Sequence, residues 1–212
     1  MYEKERQELI LTLREKGITN ERVLKAFSEV ERHLFIPQAL HGHAYVDNAL
    51  PIGFDQTISQ PYTVAFMTQV MNPQPGNKIL EIGTGSGYQA VILNYLGAKV
   101  YSIERNHNLY LRTSQLFDKL GYRIALRCSD GTLGWDEFAP YDGIIVTAGG
   151  PEIPTNLKKQ LAPGGKLIIP VGDRKSQKMH ILQKTGEDSF KTTIVPDFSF
   201  VPLIGREGWK IG

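Results

Sequence analysis

The sequence predicts an α/β fold in which helices cover both faces of a doubly wound, mostly parallel sheet. Two observations lead to this prediction. From residue 78 onward, short apolar strands alternate with helices, a pattern typical of βαβ units. Beyond residue 176, two further apolar runs flank the turn residues 185–188, which indicates an antiparallel strand pair at the end of the sheet.

Composition limits the protein class. The chain has 212 residues, with 24 Lys and Arg against 22 Asp and Glu, which gives a formal charge of +2. This length favours one domain. The balanced charge excludes a strongly basic nucleic-acid-binding protein, so no nucleic-acid partner is expected. The single cysteine, Cys128, excludes an internal disulfide and a zinc site built from several cysteines, and no metal is expected.

Neither a membrane span nor an export signal is evident. No apolar run approaches the ~20 residues that cross a bilayer. The charged N-terminus lacks the apolar core of a signal peptide. The expectation is therefore a cytoplasmic protein without a membrane partner.

The first ~50 residues are predicted to be helical. Leu9 and Leu13 mark one apolar stripe. A second stripe, at i, i+3, i+4 and i+7, consists of Val23, Ala26, Phe27 and Val30. Thr19 or Asn20 can cap this second helix, and we expect Pro37 to end it.

Residues 41–60 show no clean period and are interpreted as a long ordered loop, a kind of segment that is often functional. A helix is predicted to begin at Pro61, with Val64, Met67 and Met71 on one face.

Seven strands are predicted after this helix: Lys78–Ile82, Lys99–Ile103, Arg123–Cys128, Gly143–Val146, Gly165–Val171, Met179–Gln183 and Lys191–Val195. The helices between them are expected at Gly87–Leu96, Asn108–Leu120 and Pro154–Leu161. Gly97 and Gly121 mark the ends of the first two, because glycine best tolerates the left-handed conformation that follows a helix.

A glycine-rich turn follows the first of these strands. Gly83, Gly85 and Gly87 form a Gly-x-Gly-x-Gly motif that would let a ligand approach the backbone, and acidic Glu81 precedes it by two positions. A dinucleotide fingerprint would need glycine where Tyr88 stands, which disfavours a nicotinamide oxidoreductase. A glycine turn that only packs a helix on a strand is the plainer interpretation.

Polar residues also follow the next three strands. Glu104 ends the second strand and can accept hydrogen bonds from two ribose hydroxyls. Asp130 and Gly131 follow the third strand, and Thr147 follows the fourth. Because ligands bind at the carboxyl ends of parallel strands, these positions predict one binding site. For Asp130 and Gly131, an ordinary turn remains the alternative.

The glycine motif resembles motif I of class I S-adenosylmethionine (SAM) methyltransferases, which implies a Rossmann-like fold. The resemblance implies that Glu81 engages the cationic end of the cofactor and that Asp130 accepts the adenine amino group. The implied SAM-binding residues are Glu81, Gly83, Thr84, Gly85, Ser86, Gly87, Glu104, Asp130, Gly131 and Thr147.

Segments on both sides of motif I are more specific and resemble the protein-L-isoaspartate (D-aspartate) O-methyltransferase family. They are Tyr45–Asp47, Leu50–Gly53, Gln56–Pro61, Gly131–Trp135, Ala139–Ala148, Leu161–Gly165 and Phe200–Leu203. Two positions depart from the family pattern, because Asp55 and Ser129 stand where glycine is usual.

The resemblance implies methyl transfer from SAM to the free α-carboxylate of L-isoaspartyl residues, with damaged proteins and peptides as partners. It implies that Ser59 is the catalytic residue, although Ser59 could instead cap the helix that begins at Pro61. The implied substrate-binding residues are Thr57, Ile58, Ser59, Val201, Pro202 and Leu203. A monomer is expected.

The expected organisation is one domain over residues 1–212. Residues 1–60 form the N-terminal helices and substrate loop, 61–175 the SAM-binding core, and 176–212 the C-terminal hairpin and tail. A SAM enzyme with another acceptor, or a SAM-binding module without catalysis, remains open. Cys128 is expected to be a small buried apolar group, and Trp135 and Trp209 are expected to be packing residues.

Overall fold

The N-terminal part of the chain is helical and ends in a small β-hairpin. The computed structural model describes residues 2–210. The elements are α1 (Glu3–Glu15), α2 (Glu21–Glu29), the antiparallel strands β1 (Leu50–Gly53) and β2 (Gln56–Ile58), and α3 (Pro61–Met71). Leu9 and Leu13 are buried as predicted, and Asn20 is the cap of α2, accepting hydrogen bonds from the backbone N–H groups of Arg22 and Val23.

Two predictions in this region were wrong. Helix α2 ends at Glu29, well before Pro37, and short 3₁₀ turns follow at Arg32–Phe35 and Gln38–His43. The predicted loop 41–60 contains the β1–β2 hairpin. Its tip, Phe54 and Asp55, carries no glycine and gives no recognisable turn signal.

The predicted seven-stranded sheet is confirmed. Its strands are β3 (Lys78–Ile82), β4 (Lys99–Glu104), β5 (Ala125–Cys128), β6 (Tyr141–Val146), β7 (Leu161–Gly172), β8 (Gln177–Lys184) and β9 (Phe190–Phe198). The spatial order is β5-β4-β3-β6-β7-β8-β9. The pairs up to β7 are parallel, whereas β7–β8 and β8–β9 are antiparallel, as expected for a C-terminal hairpin.

The helices that connect the strands are α4 (Tyr88–Tyr95), α5 (His107–Leu120) and α6 (Thr155–Lys159). Helix α6 is shorter than predicted, because β7 already begins at Leu161 and pairs there with Tyr141. Cys128 is exposed rather than buried, since it ends β5 at the edge of the sheet. Trp135 is buried, as expected of a packing residue.

Alternating residues of the central strands face two separate hydrophobic clusters. Ile79 and Ile145 belong to the cluster that contains the N-terminal helices and α4, whereas Leu80 and Ile144 belong to the cluster that contains Trp135. Apolar side chains therefore cover both faces of the sheet, which explains the nearly continuous apolar runs of its parallel strands.

The chain reverses its direction across the sheet beside β3. It passes from β3 through β4 to β5 on one side and then returns to β6 on the other side of β3. The connections after β3 and β6 therefore diverge and leave a crevice at the carboxyl ends of these strands, where α/β sheets bind ligands. Within residues 2–210, no helix is long and apolar enough to cross a bilayer.

Candidate active site

A cleft of about 1070 Å³, partly open to solvent, lies at this crevice. All of the predicted site residues line it except Gly87 and Asp130. Those that do are Thr57, Ile58, Ser59, Glu81, Gly83, Thr84, Gly85, Ser86, Glu104, Gly131, Thr147, Val201, Pro202 and Leu203. The fold thus brings together residues from the hairpin, the ends of four strands and the C-terminal tail.

Thr147 ties the turn after β3 to the end of β6. Its hydroxyl donates hydrogen bonds to the carbonyl oxygens of Gly83 at 2.6 Å and Ile82 at 3.0 Å. A Cβ atom on Gly83 would lie only 2.5 Å from the Thr147 hydroxyl oxygen. The first glycine of the motif is therefore required by this close approach.

Gly87 has a packing role. It precedes α4 with φ +87°, and a Cβ atom there would lie 2.6 Å from the ring of Phe117 and 2.8 Å from the Thr113 methyl group, both on α5. The third glycine of the motif therefore allows α4 and α5 to pack closely. Its predicted contact with the cofactor stays a prediction.

Glu81 is a fully buried acid in the wall of the cleft. Its Oε2 accepts a hydrogen bond from the Ser102 hydroxyl, and its Oε1 has no hydrogen-bond partner among residues 2–210. Burial raises the pKa of Glu81 to about 8; the Ser102 hydrogen bond opposes the rise and the nearby Glu104 carboxylate adds to it. A buried acid with a free acceptor is suited to a ligand that carries a cationic donor.

Glu104 is held in a fixed orientation at the end of β4. Its two oxygens accept hydrogen bonds from the backbone N–H groups of Gly85 at 2.8 Å and Asn106 at 2.7 Å. A carboxylate has about four acceptor positions, so further hydrogen bonds remain available for ligand hydroxyls.

Asp130 does not line the cleft. One carboxylate oxygen accepts from both the backbone and the hydroxyl of Thr132, and the other accepts from the backbone N–H of Arg206 at 2.7 Å. The side chain therefore caps a turn and fastens the C-terminal tail, while its neighbour Gly131 lines the cleft. Contact with adenine stays a prediction for Asp130, and this geometry favours the turn interpretation.

Ser59 does not cap α3. The N-cap is Gln60, which makes no capping hydrogen bond through its side chain, and the backbone N–H of Tyr62 donates to Asp47 instead. Among residues 2–210, no group hydrogen-bonds to the Ser59 hydroxyl. It is therefore free to meet a ligand.

A second cleft, of about 950 Å³, shares Thr57, Ser59, Thr147 and Val201 with the first. The residues of this second cleft that sequence reasoning missed include Lys175, Ser176 and 197–199. They come from the β7–β8 turn and the end of β9, and only the folded-back tail brings them to Ser59.

The segment Val201–Leu203 runs beside Gly149. Gly149 accepts a hydrogen bond from the Leu203 N–H and donates one to the Val201 carbonyl, both at 2.8 Å. One edge of the segment is thus occupied by the protein itself. The Trp209 indole also donates to the Gly149 carbonyl at 3.0 Å, which fixes the tail in this position.

Known proteins of one family resemble the whole chain. The sequence profile of "Protein-L-isoaspartate(D-aspartate) O-methyltransferase (PCMT)" matches residues 4–208. A protein-L-isoaspartate O-methyltransferase of Chlorobaculum tepidum is 54% identical over 207 residues, covering 97% of both chains. One from Salinibacter ruber is 49% identical over 216 residues, covering 97% of this chain and 94% of that one.

Solved structures agree with the fold. A protein-L-isoaspartate O-methyltransferase structure superposes with a TM-score of 0.86 at 28% identity, covering 96% of this chain and 67% of that one. A structure from Plasmodium falciparum, in complex with S-adenosyl-L-homocysteine, has a TM-score of 0.80 at 24% identity, covering 93% of this chain and 97% of that one. With the profile match and the relatives at about half identity, these similarities show that the chain belongs to the protein-L-isoaspartate (D-aspartate) O-methyltransferase family.

Proposed function

We propose that this protein transfers the methyl group of SAM to the free α-carboxylate of L-isoaspartyl residues in damaged proteins and peptides. The amide nitrogen of the following residue then attacks the ester carbonyl and expels methanol to form a succinimide, whose hydrolysis returns part of the residue to aspartate. Family membership supports the reaction, and one observation carries it for this chain: the two clefts share Ser59, so a cofactor and a peptide can meet beside its unbonded hydroxyl.

The residues of the first cleft fit SAM. The unpartnered Oε1 of buried Glu81 suits the cofactor's amino group, and the fixed carboxylate of Glu104 suits its ribose hydroxyls. The turn from Gly83 to Ser86 lines the same cleft with small residues and backbone groups. When bound, SAM supplies a methyl group on a sulfonium that a carboxylate oxygen can attack.

The reaction requires the protein to align the carboxylate with the methyl group and does not require a general base. A free α-carboxylate has a pKa of about 3.3–3.7 and is already ionised at neutral pH. Ser59 can donate a hydrogen bond to one carboxylate oxygen and leave the other to face the first cleft. In well-oriented systems, such alignment lowers the activation free energy by up to ~7–11 kcal/mol.

The second cleft would hold the peptide. The Val201 carbonyl and the Leu203 N–H already bond Gly149, so a peptide beside this segment would bond the main-chain groups that remain, among them the Pro202 carbonyl. Contacts with main-chain atoms would recognise little of the neighbouring sequence, as an enzyme for many damaged sites requires. Isoaspartyl peptides that differ two residues away should therefore react at similar rates.

We also propose one domain over 1–212, in which 61–175 binds SAM and 1–60 and 176–212 enclose the acceptor. Both clefts are built from a single chain, so a monomer suffices for the reaction. A cytoplasmic location without nucleic-acid partners completes the proposal.

The decisive experiment uses purified protein, methyl-labelled SAM and two peptides that differ only by L-isoaspartate or L-aspartate at one position. Base-labile label on the isoaspartyl peptide alone supports carboxyl methylation of the proposed residue. If SAM binds but neither peptide is labelled, the acceptor is wrong. Equal labelling of both peptides would also contradict the proposal.

A further inference from the structure

Helix α3 begins two residues after Ser59 and has no cap of its own. Pro61 lacks an N–H, so the first backbone donor of the helix is the N–H of Tyr62. The N-cap residue Gln60 makes no capping hydrogen bond through its side chain. The exposed donors and positive end of a helix N-terminus favour a carboxylate at this place.

Asp47 supplies that carboxylate from a distant part of the chain. Its Oδ1 accepts a hydrogen bond from the Tyr62 N–H at 2.7 Å. Its Oδ2 lies 2.6 Å from the Lys16 ammonium, and only 8% of the Asp47 side chain is exposed. The Lys16 nitrogen also lies 5.6 Å from the centre of the Tyr62 ring. Asp47 is therefore held on both of its oxygens.

Arg32 fixes the backbone on both sides of Asp47. It is fully buried, and its guanidinium donates to the carbonyl oxygens of Ala44 at 2.9 Å and Asn48 at 3.3 Å. The segment that carries Asp47 is thus pinned before and after it. The capping carboxylate consequently has little freedom to leave the first turn of α3.

We propose that Asp47 is a positioning residue for Ser59. By capping the Tyr62 N–H, Asp47 fixes the turn that carries Ser59 and leaves the serine hydroxyl free. Without Asp47, the Ser59 hydroxyl can accept from that N–H, which lies three residues ahead, because serine at a helix N-terminus commonly bonds such a backbone N–H. The hydroxyl would then turn away from the substrate. This inference rests on the proposed function.

The test compares variants in the peptide methylation assay. Asp47→Ala should lower kcat by about tenfold or more while SAM affinity stays within about twofold, because the cofactor residues are untouched. Asp47→Asn keeps an acceptor for the Tyr62 N–H and should restore kcat to within about threefold of wild type. If kcat of Asp47→Asn is as low as that of Asp47→Ala, the hydrogen bond to the Tyr62 N–H does not position Ser59, and the proposal is overturned.

Asn20→Ala is the matched control for a loss of stability. Asn20 caps α2 through the Arg22 and Val23 N–H groups, so its removal should lower Tm, as removal of the Asp47 cap should. We expect a similar fall in Tm and an unchanged kcat. A kcat that falls equally in both variants would reduce Asp47 to a structural role and overturn the proposal.

A double-mutant cycle separates this inference from the proposed function. If Asp47 acts through Ser59, Asp47→Ala should lower kcat by less than about threefold in a Ser59→Ala background. An equal effect in both backgrounds overturns the inference. If wild type methylates no isoaspartyl peptide, the proposed function itself has failed.

Hydrogen exchange tests the contact without a variant, which matters if Asp47→Ala does not fold. The Tyr62 amide should exchange slowly in wild type and faster in Lys16→Met, where Asp47 keeps only one of its two partners. An amide that exchanges as an unprotected one in wild type would overturn the proposal.

Discussion

The Ser102 hydroxyl donates a hydrogen bond to the Glu81 carboxylate, and the Thr84 hydroxyl lies 2.6 Å from the same Ser102 oxygen. The parallel register of β3 and β4 sets Glu81 and Ser102 side by side, and all three side chains are buried. Burial nevertheless dominates and raises the pKa of Glu81 to about 8. Burial at this site therefore favours the protonated form of the Glu81 carboxyl group.

Glu81 should make the protein less stable as pH rises through neutrality. Its pKa is about 8 in the folded state against 4.5 for the ordinary group, so between these values the folded state binds one more proton than the unfolded state. The free energy of unfolding then falls with rising pH. Glu81→Gln removes this dependence. The Tm of Glu81→Gln relative to that of wild type should therefore rise from about pH 5 to about pH 8.

Glu187→Gln is the control, since Glu187 is exposed in the turn between β8 and β9. Its Tm difference from wild type measures the effect of losing one exposed carboxylate and is subtracted from that of Glu81→Gln at each pH. A constant Tm difference between Glu81→Gln and wild type would mean that Glu81 does not titrate in this pH range.

Cofactor binding should release a proton from Glu81. A cationic amino group beside the carboxylate favours its charged form and lowers its pKa. Calorimetric titration with SAM at neutral pH, in two buffers of different ionisation enthalpy, should show this release. Glu81→Gln should abolish it. Identical heats in both buffers for wild type would place the cationic group away from Glu81.

Ser59→Ala should lower kcat by about 100-fold, as expected for loss of one positioned hydrogen-bond donor, with SAM affinity nearly intact. Steady-state kinetics and a SAM titration measure the two quantities. Ser28→Ala is the matched control, because within residues 2–210 the Ser28 hydroxyl bonds only the Lys25 carbonyl of its own helix. An unchanged kcat for Ser59→Ala would remove Ser59 from the mechanism.

Gly87→Ala should destabilise the protein more than Gly121→Ala. Both glycines have positive φ, +87° and +75°, so both substitutions strain the backbone, by about 1 kcal/mol. Only at position 87 would the new Cβ also meet Phe117 and Thr113, and such overpacking adds about 1–3 kcal/mol. Denaturant unfolding of both variants measures the difference. Equal losses would show that α4 and α5 can separate without cost.

The sheet was predictable because its strands are buried apolar runs bounded by glycine, proline or polar turns. The strand Lys78–Ile82 has the same bounds in sequence and structure. The glycines of the motif were also recognisable in the sequence. The sequence did not show, however, that Gly83 lines the cleft whereas Gly87 has a packing role. That distinction depends on Thr147 and Phe117, which lie far away in the chain.

Tertiary contacts explain the rest. Asp130 occupies an ordinary Asp-Gly turn, and the sequence does not show that the tail returns to it through Arg206. The second cleft, with Lys175 and Ser176, likewise exists only because the tail passes Gly149. Ser129, where glycine is usual in the family, is not among the residues with positive φ, so glycine is not needed there.

Asp55 stands where the family usually has glycine, and its backbone has the left-handed conformation that favours glycine. It forms the tip of the β1–β2 hairpin with Phe54, at φ +54° and +55°, as a two-residue turn requires. Asp55→Gly should therefore raise stability by about 1 kcal/mol, or Tm by about 2–4 °C. Asp55→Ala removes the same charge but keeps a Cβ and should lower Tm, since alanine tolerates this conformation less well than aspartate. Thermal melts of both variants decide the cause. A rise in Tm for both would assign the effect to charge instead of backbone conformation.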